Sequence, residues 1–273
     1  MRKVNPRHRA TSHLSPTVHG KFVKEDLMTY KERFYPEAKF GGFTDIDGTI
    51  AFFNRVNSLL ETSFTICDVG CGRGAYADDQ ISIRRNLRIL KGKVSKVIGI
   101  DVDRAAQGNP YLDEFRLIRG DIWPVEGNTI DLVLCHNVIE HIENPLQFFS
   151  EAHRVLKNGG YLCIRTPNRW SYIGLFATIV PNKYHSKVTN FVQDSRKEED
   201  VFPTVYKCNS IGKIKNMMKK HGFDCVVYGY ESEPAYLSFS KFTYWLGVLH
   251  RRFAPAVLKP AIFAFGKIEK NIA

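Results

Sequence analysis

A glycine-rich segment with a carboxylate in front of it is the first feature of this sequence that suits a ligand site. Its residues are Asp68, Gly70, Cys71, Gly72 and Gly74, in the segment ICDVGCGRGAY. Glycines let a backbone turn sharply and approach a ligand without Cβ clashes. We expect a helix to start near Ala75, with free N–H groups that face a carboxylate or a phosphate. The carboxylate of Asp68 suits an ammonium group and would repel a pyrophosphate.

The same loop also fits a second class of ligand. Gly70, Gly72 and Ala75 satisfy the dinucleotide pattern G-x-G-x-x-G/A, so an NAD-binding oxidoreductase is an alternative. Two features oppose that alternative: the carboxylate of Asp68, and Gly74, a third alternating glycine that a dinucleotide loop does not need. The loop alone therefore leaves both classes open, with the balance against NAD.

Two further carboxylates follow strand-like runs downstream. The run VIGID ends in Asp101, where a carboxylate can accept hydrogen bonds from two ribose hydroxyls, and Val102 comes next. The run RGDIW holds Asp121, which can accept a hydrogen bond from an adenine amine. Ile122 or Trp123 can then pack on the base. These residues predict a site for an adenine nucleoside.

Two more motifs follow: CHNVIEHI after a fourth apolar run, and LKNGG before a fifth. Together with the glycine loop and the carboxylates Asp101 and Asp121, they resemble the motifs of the class I S-adenosylmethionine-dependent methyltransferases. The resemblance is to the branch with a DVGCGxG loop, an EH element and an LKxGG turn. It covers residues 60–168 well and 205–266 more loosely. It implies S-adenosylmethionine as the cofactor, with Asp68 and the glycine loop at the methionine end, Asp101 at the ribose and Asp121 at the adenine.

Histidines are the candidates for catalysis in such a protein. Methyl transfer from a sulfonium is an in-line displacement, so the protein aligns the acceptor and, for a hydroxyl, removes a proton. His141 of the EH element is the first candidate base, because an imidazole titrates near neutrality; a structural hydrogen bond to a neighbouring loop is its alternative role. His136 and Asn137 directly follow strand four and can touch the donor or the acceptor. His185, in PNKYHSK, is a candidate for a lid over the site or an ordinary surface histidine.

The class of acceptor follows from weaker signals. No (D/N)-P-P-(Y/F) element follows strand four, which argues against methylation of amino groups in nucleic-acid bases or protein amides. The stretches TPNRWSY and FPTVYKCNS resemble segments of bacterial methyltransferases from cell-surface sugar pathways. We therefore predict O-methylation of a hydroxyl on a glycan, a glycolipid or a small molecule. A quinol or other phenolic lipid is an alternative acceptor, and a methyltransferase fold that binds without catalysis is the non-enzymatic alternative.

The fold expected from the apolar pattern is α/β. Short apolar runs that alternate with helical patterns are typical of a parallel sheet covered on both faces. The runs lie at 64–69, 96–100, 115–120, 130–135, 161–166, 223–230 and 261–266. The resemblance implies that they form a Rossmann-like, doubly wound, seven-stranded and mostly parallel sheet whose last strand is antiparallel. Asp101 lies about thirty residues beyond the glycine loop, where about 20 is usual, so the segment 79–96 must hold extra helix or loop.

Composition divides the chain into three parts. Residues 1–26 form a basic stretch that predicts a disordered tail. Residues 27–63 contain two amphipathic helical patterns, at 27–40 and 49–61, and predict an N-terminal helical cap. Residues 64–273 form the methyltransferase domain, and its two predicted insertions lie at 167–209, as a lid, and at 231–259, as an aromatic and basic segment.

The segment FTDIDGT is an apparent rival to the glycine loop. Its Asp45-x-Asp47-Gly48-Thr49 pattern is similar to the nucleophile motif of haloacid-dehalogenase-type phosphatases. Those enzymes place the motif at the end of a fully apolar strand, whereas here a GGF segment precedes it and a helical pattern follows. We therefore interpret it as a helix-capping turn near the cofactor pocket.

Bulk properties set limits on location and partners. The 273 residues carry a formal net charge of +11, which permits attraction to phosphates, anionic lipid or nucleic acid, although no dedicated nucleic-acid module is evident. No apolar run reaches the roughly 18–20 residues of a membrane span, and no signal-peptide core follows the start. The six cysteines show no zinc-site spacing, so we predict no metal and a reduced state that favours the cytoplasm.

The segment 236–259 is the one candidate for a membrane contact. It mixes Phe, Tyr, Trp and Leu with Lys241, Arg251 and Arg252. A basic, aromatic amphipathic helix can lie at a membrane surface, pack against the sheet or form a dimer contact. Peripheral association with the inner face of the membrane is therefore one expectation, and the pattern does not indicate an oligomeric state.

Overall fold

A computed structural model describes residues 31–179, 203–238 and 240–270. Seven strands form one sheet in the order β3-β2-β1-β4-β5-β7-β6, and β7 runs antiparallel to both of its neighbours. The strands are β1 Thr65–Val69, β2 Lys96–Asp101, β3 Glu114–Leu117, β4 Ile130–His136, β5 Leu156–Pro167, β6 Phe223–Tyr230 and β7 Ala261–Ile268. The predicted doubly wound sheet with an antiparallel last strand is confirmed.

Helices cover both faces of the sheet, as the uninterrupted apolar strands predict. They are α1 Gly48–Ser58, α2 Ser82–Arg88, α3 Pro145–Val155, α4 Tyr172–Ile179, α5 Ile211–Lys220 and α6 Lys241–Phe253. On one face, α3 and α5 bury Phe149 and Ile214 in the core. On the other face, α1 buries Phe52 and Val56 against β1 and β4. The two clusters hold the strand ends in place.

Side-chain caps set where several helices begin. Asn144 accepts from the N–H of Gln147 at the start of α3, Ser210 from Lys213 at α5, and Ser240 from Thr243 at α6. Each cap satisfies an N–H group that the helix itself leaves without a partner.

Two local expectations are wrong. The helix expected near Ala75 is a single 3-10 turn, Ala75–Asp78, and α2 begins only at Ser82. In the predicted helix 27–40, residues 31–34 are helical and a 3-10 turn, Pro36–Lys39, follows. The break has a steric cause, because a proline disfavours helical backbone in the residue before it.

The structure also bears on the predictions about cysteines, metal sites and membrane spans. All six cysteines are free, and five of them are buried. Within the described ranges, no helix is long and apolar enough to cross a bilayer, and no group of three metal-ligating side chains occurs. The predicted tail 1–26 and most of the predicted lid, 180–202, lie outside the described residues.

Candidate functional site

A narrow cleft lies at the carboxyl ends of β1 and β4, where ligands bind in open α/β sheets. Its lining comprises Phe53, Asp68, Gly70, Cys71, Tyr76, Arg88, Leu134 and His136. The cleft is partly open and has a volume of about 70 Å³. It can hold one end of a nucleoside cofactor, whose remainder would lie on the surface beside it.

The glycine loop turns away from β1 in a conformation that requires glycine. Gly70 has φ +65°, and its N–H donates to the carbonyl of Ile100 over 2.8 Å. A Cβ on Gly70 would overlap the side chain of Val138. This packing requires a glycine at position 70, and the approach of the loop backbone to a ligand stays a prediction.

Asn109 clamps this loop and was not predicted as a site residue. The side chain is buried, and its Nδ2 donates to the carbonyls of Cys71 (3.2 Å) and Gly72 (3.1 Å). A Cβ on Gly74 would lie 2.6 Å from Asn109 Oδ1, so the loop packs directly on the amide. The only sequence signal was the Asn109-Pro110 dipeptide, which marks a turn and not a clamp.

Asp101 braces the loop from the end of β2. It is buried, and its Oδ2 accepts from the N–H of Gly72 (3.0 Å) while Oδ1 accepts from the N–H of Asp103 (2.9 Å). Each carboxylate oxygen keeps a second lone pair, which a ribose hydroxyl can use. Val102, beside it, is 63% exposed and offers an open apolar surface.

The predicted adenine residues lie at the far side of this surface. Asp121 and Ile122 are exposed, and the backbone carbonyl of Asp121 accepts from Gln147 Nε2 over 3.1 Å. Trp123 instead packs edge-on against Phe148 in the core, so its suggested contact with a base is wrong. Ile122 is the exposed apolar side chain that can pack on an adenine.

Asp68 is electrostatically poised for a cation. Burial raises the pKa of its carboxyl to about 7; the guanidinium of Arg88 opposes that shift, and the carboxylate of Asp101 adds to it. A buried carboxylate gains most from a ligand that brings a positive charge. An ammonium group in the cleft would supply that charge.

Arg88 supplies the opposite charge and was missed by the sequence analysis. The helix α2 is held by Arg84, whose Nη2 donates to Asp79 Oδ1 (2.7 Å) and whose Nη1 donates to Asp47 Oδ2 (3.2 Å). One turn later, Arg88 places its guanidinium 4.6 Å from the ring centroid of Tyr76. Helix α2 lies within the extra residues 79–96 that precede Asp101. The unusual length of that segment is the sequence signal that could have pointed to Arg88.

No carboxylate in the described part of the chain lies within 4 Å of the Arg88 guanidinium, and its buried Nε has no hydrogen-bond partner there. Asp68 and Asp79 act on this cation through their charges at longer range, and burial lowers the pKa of the guanidinium. Because no carboxylate contacts the guanidinium directly, the site can accept a ligand with an anionic group. Asp68 and Arg88 together fit the ammonium and carboxylate of a methionine, and the exposed surface at Asp101 and Ile122 fits the adenosine.

His136 lines another part of the cleft. It is paired in register with Arg165 of β5, whose Nη1 donates to His136 Nε2 (3.3 Å) and to Thr49 Oγ1 (2.9 Å). The imidazole packs against the rings of Phe52 and Phe53, with centroid distances of 5.9 and 5.2 Å. Burial lowers the pKa of Arg165 to about 10, so it remains a cation at neutral pH.

Asn137 makes the turn out of β4. Its φ is +58°, in the left-handed region that asparagine tolerates better than most residues, and its N–H donates to the carbonyl of Arg165 over 2.8 Å. This turn aims the chain away from the cleft directly after His136. The role of Asn137 in binding the cofactor stays a prediction.

The EH element anchors a neighbouring segment. The Nδ1–H of His141 donates to the carbonyl of Pro203 over 2.9 Å, since a carbonyl can only accept. Glu140 is buried; Thr166 Oγ1 donates to its carboxylate (2.9 Å), and the N–H of Val205 donates to its backbone carbonyl (2.8 Å). The structure therefore places His141 in the loop-anchoring position, and its catalytic role stays a prediction. His185 lies outside the described residues.

The phosphatase-like segment forms a helix cap. Asp47 Oδ1 accepts from the N–H groups of Thr49 (2.8 Å) and Ile50 (2.9 Å) at the start of α1. Its other oxygen accepts from Arg84 over 3.2 Å. The capping interpretation is confirmed, and this cap also fixes the helix that carries Arg88.

Comparisons with known proteins agree with this geometry. A family profile described as a methyltransferase domain matches residues 28–228. A Mycolicibacterium smegmatis protein named as a probable S-adenosylmethionine-dependent methyltransferase is 32% identical over 114 residues, which are 39% of this chain and 39% of that protein. The ubiquinone biosynthesis O-methyltransferase of Parvibaculum lavamentivorans is 26% identical over 112 residues, which are 41% of this chain and 44% of that enzyme. The aligned part thus spans less than half the length of each relative.

Solved structures give the same fold. The Haloferax volcanii complex of the Trm112 methyltransferase activator with a methyltransferase matches with a TM-score of 0.52 at 15% identity, covering 92% of this chain and 99% of that chain. A SAM-dependent methyltransferase from Archaeoglobus fulgidus matches with a TM-score of 0.50 at 16% identity, covering 85% of this chain and 97% of that chain. At this level of identity the likeness concerns the fold alone.

Proposed function

The chain belongs to the methyltransferase-domain family and has the class I S-adenosylmethionine-dependent fold, and we propose that it methylates a hydroxyl oxygen of a glycan, a glycolipid or a small molecule. The observation that carries the proposal is the division of charge across the cleft. Asp68 and Arg88 provide opposite charges for a zwitterion, and His136, which lines the same cleft, is hydrogen-bonded to Arg165.

The residues of the cleft have distinct tasks in this scheme. S-adenosylmethionine supplies an already activated methyl group on its sulfonium. Asp68 and Arg88 bind the amino-acid end and so orient that methyl group, while the glycine loop excludes water from it. His136 then receives the proton of the acceptor hydroxyl at Nε2, in place of the hydrogen bond that it accepts from Arg165.

Arg165 has a matching role toward the acceptor. A hydroxyl that loses its proton gains negative charge on oxygen, and a fixed guanidinium beside it stabilises that charge. The reaction is balanced: the sulfur–methyl bond breaks, an oxygen–methyl bond forms, the proton goes to His136, and S-adenosylhomocysteine leaves. No metal is needed for any of these steps.

The test is transfer of a tritiated methyl group from S-adenosylmethionine into cell extract that is fractionated into lipid, glycan and nucleic-acid pools. The proposal expects label in the glycan or lipid pool as a methyl ether, which withstands alkali, whereas a methyl ester releases methanol. A Gly70→Ala variant, whose Cβ would overlap Val138 and so displace the glycine loop, provides the blank. Label confined to nucleic acid, or fully lost in alkali, would refute hydroxyl methylation.

A phenolic lipid such as a quinol is the second candidate acceptor. Its support is the local likeness to ubiquinone biosynthesis O-methyltransferases, including a Candida albicans enzyme that is 30% identical over 135 residues. The ring of Phe53, which lines the cleft beside His136, also suits a ring. Purified quinol precursors and simple sugars, tested in parallel, distinguish the two acceptors.

Calorimetry separates the remaining alternatives. The proposal expects S-adenosylhomocysteine to bind and NAD to give no heat. Binding of NAD would favour an oxidoreductase, and binding of S-adenosylhomocysteine without transfer to any pool would favour a non-catalytic binding protein.

A further inference from the structure

Helix α6 has two apolar faces, and only one of them is used by the fold. Its inner face carries Tyr244, Gly247 and Val248, at helical spacing. Tyr244 and Val248 pack in a small cluster with Tyr35 and Ile46. A Cβ on Gly247 would overlap Pro234, so the helix lies close to the loop after β6.

The opposite face of α6 is apolar as well and faces outward. Phe242, Trp245, Leu246, Leu249 and Phe253 recur at the spacing i, i+3, i+4, i+7 and i+11, which places them on one stripe. The exposed fractions of Phe242, Trp245, Leu246 and Phe253 are 66, 42, 42 and 73%. We call these five residues the outer stripe. A contiguous apolar surface of this kind marks a site of interaction.

The chain continues from α6 into more exposed apolar surface. Val257 and Leu258 are 56 and 39% exposed, and with Trp170 they line an apolar groove of about 380 Å³. Trp170 is itself 52% exposed. The exposed apolar surface is thus larger than the outer stripe alone.

The charged residues of α6 itself have one sign. No Asp or Glu occurs between residues 240 and 268. Lys241 and Arg252 fall beside the stripe by helical spacing, and the Arg252 guanidinium lies 5.7 Å from the ring centroid of Phe253. Aromatic side chains flanked by cations suit the boundary between lipid headgroups and acyl chains. A protein partner for so apolar a face would need acidic groups at its rim, whereas an anionic bilayer presents both features at once.

We propose that α6 lies in the surface of an anionic bilayer, with the outer stripe inserted among the acyl chains and with Lys241 and Arg252 on the headgroups. The inner face keeps its contacts with Tyr35 and Ile46, so docking needs no unfolding. The contact is independent of the reaction that the cleft performs. It would bring the cleft to acceptors that reside in a membrane.

The experiment is flotation of the full chain with vesicles of phosphatidylcholine, with and without phosphatidylglycerol. The wild type is expected to float with the anionic vesicles and to remain in the lipid-free fraction with the neutral ones. The pair of substitutions Phe242→Ala and Trp245→Ala should weaken binding to the anionic vesicles roughly tenfold or more. The pair Lys241→Gln and Arg252→Gln should also weaken it, and the difference from the wild type should shrink as the salt concentration rises. Phe40→Ala, at an aromatic residue that is 82% exposed elsewhere, is the matched control and should bind as the wild type.

Fluorescence gives a second readout, which does not depend on how much protein is recovered after flotation. The fluorescence emission of Trp245 should shift to the blue when anionic vesicles are added. The Trp245→Phe variant should lose that emission shift but should still bind the vesicles. Failure of the wild type to float, or equal flotation of the stripe variant, overturns the proposal. Stripe-dependent dimerisation in solution without flotation also overturns it and identifies a second copy of the chain as the occupant.

Discussion

Arg165 donates a hydrogen bond from Nη1 to Nε2 of His136 over 3.3 Å, and the two residues are register partners at the ends of β5 and β4. An arginine has no acceptor atom, so Nε2 must be the acceptor and the ring proton of a neutral His136 lies on Nδ1. The lone pair of Nε2 is therefore directed at Arg165, and this hydrogen bond must break before Nε2 takes a proton in the proposed reaction. This arrangement assigns the proton-accepting atom in the proposed reaction.

The first prediction concerns His136. The substitution His136→Ala should lower kcat by about 100-fold, the lower end of what a general base contributes, and leave the Kd for S-adenosylhomocysteine within about threefold. Steady-state rates and calorimetry measure the two quantities. His141→Ala is the comparison variant. Because the His141 ring donates to the Pro203 carbonyl, this substitution should lower the Tm and should reduce kcat less than His136→Ala does. Full turnover by His136→Ala would contradict the proposed role.

The second prediction concerns Arg88. The substitution Arg88→Met should raise the Kd for S-adenosylhomocysteine by about 10- to 100-fold, since a hydrogen bond to a charged group is worth roughly 1.5–3 kcal/mol. It should change the Tm of the free protein little, because no carboxylate within the described residues lies within 4 Å of the guanidinium and burial penalises its charge. Calorimetry and thermal melts measure both effects.

A ligand without the amino-acid group provides the control for Arg88. 5′-Methylthioadenosine keeps the nucleoside and lacks both the ammonium and the carboxylate. Its Kd should be the same for the wild type and Arg88→Met, since only the carboxylate faces the guanidinium in our assignment. Equal losses for both ligands would mean that Arg88 shapes the loop and does not bind the carboxylate.

The elements of the sheet were predictable because their signal is local. β1, β2 and β4 are short apolar runs in which most residues are buried, and they begin and end within a residue or two of the predicted bounds. The number of strands and the antiparallel last strand came from the family resemblance. The positions of the glycine loop and Asp101 at strand ends were predictable because tight turns after strands favour glycine, and their contacts with a ligand stay predictions.

The unpredicted site residues depend on tertiary contacts. Arg88 enters the cleft only because Arg84 ties α2 to Asp79 and Asp47, the latter more than thirty residues earlier in the chain. Asn109 contacts the glycine loop across 38 residues. The pairing of His136 with Arg165 depends on the register of β4 and β5. Periodicity contains no information on such distant pairs, so only the folded chain reveals them.

The third prediction is a dependence on pH through Asp68. Its pKa rises from 3.8 in the unfolded chain to about 7 in the fold because the carboxyl is buried, so the folded state binds more protons between these values. The stability that this group contributes therefore falls as pH rises from about 4 to 7. Asp68→Asn should remove that fall and raise the free energy of unfolding at pH 8 by on the order of 2 kcal/mol. Thermal melts at pH 5 and pH 8 would show it, and a variant as pH-dependent as the wild type would contradict it.

The same carboxyl controls ligand binding in the opposite direction. An ammonium group needs an ionised Asp68, so the affinity for S-adenosylhomocysteine should rise as pH increases through about 7. Affinity for 5′-methylthioadenosine should stay constant over that range. A Kd for S-adenosylhomocysteine that is independent of pH from 6 to 8 would place the ammonium elsewhere.

The last prediction concerns Gly70 of the glycine loop. It uses Gly92, outside the loop, to separate the cost of left-handed backbone from the cost of steric overlap. Gly70 and Gly92 both have positive φ, at +65° and +83°, but a Cβ on Gly70 would overlap Val138 whereas nothing lies within 4 Å of one on Gly92. Gly92→Ala should therefore lose only about 1 kcal/mol, the cost of the left-handed backbone. Gly70→Ala should lose roughly 2–4 kcal/mol, because overpacking adds about 1–3 kcal/mol, and it should also abolish binding of S-adenosylhomocysteine. Urea unfolding and calorimetry measure the two variants side by side, and equal losses of stability would show that the loop yields to make room.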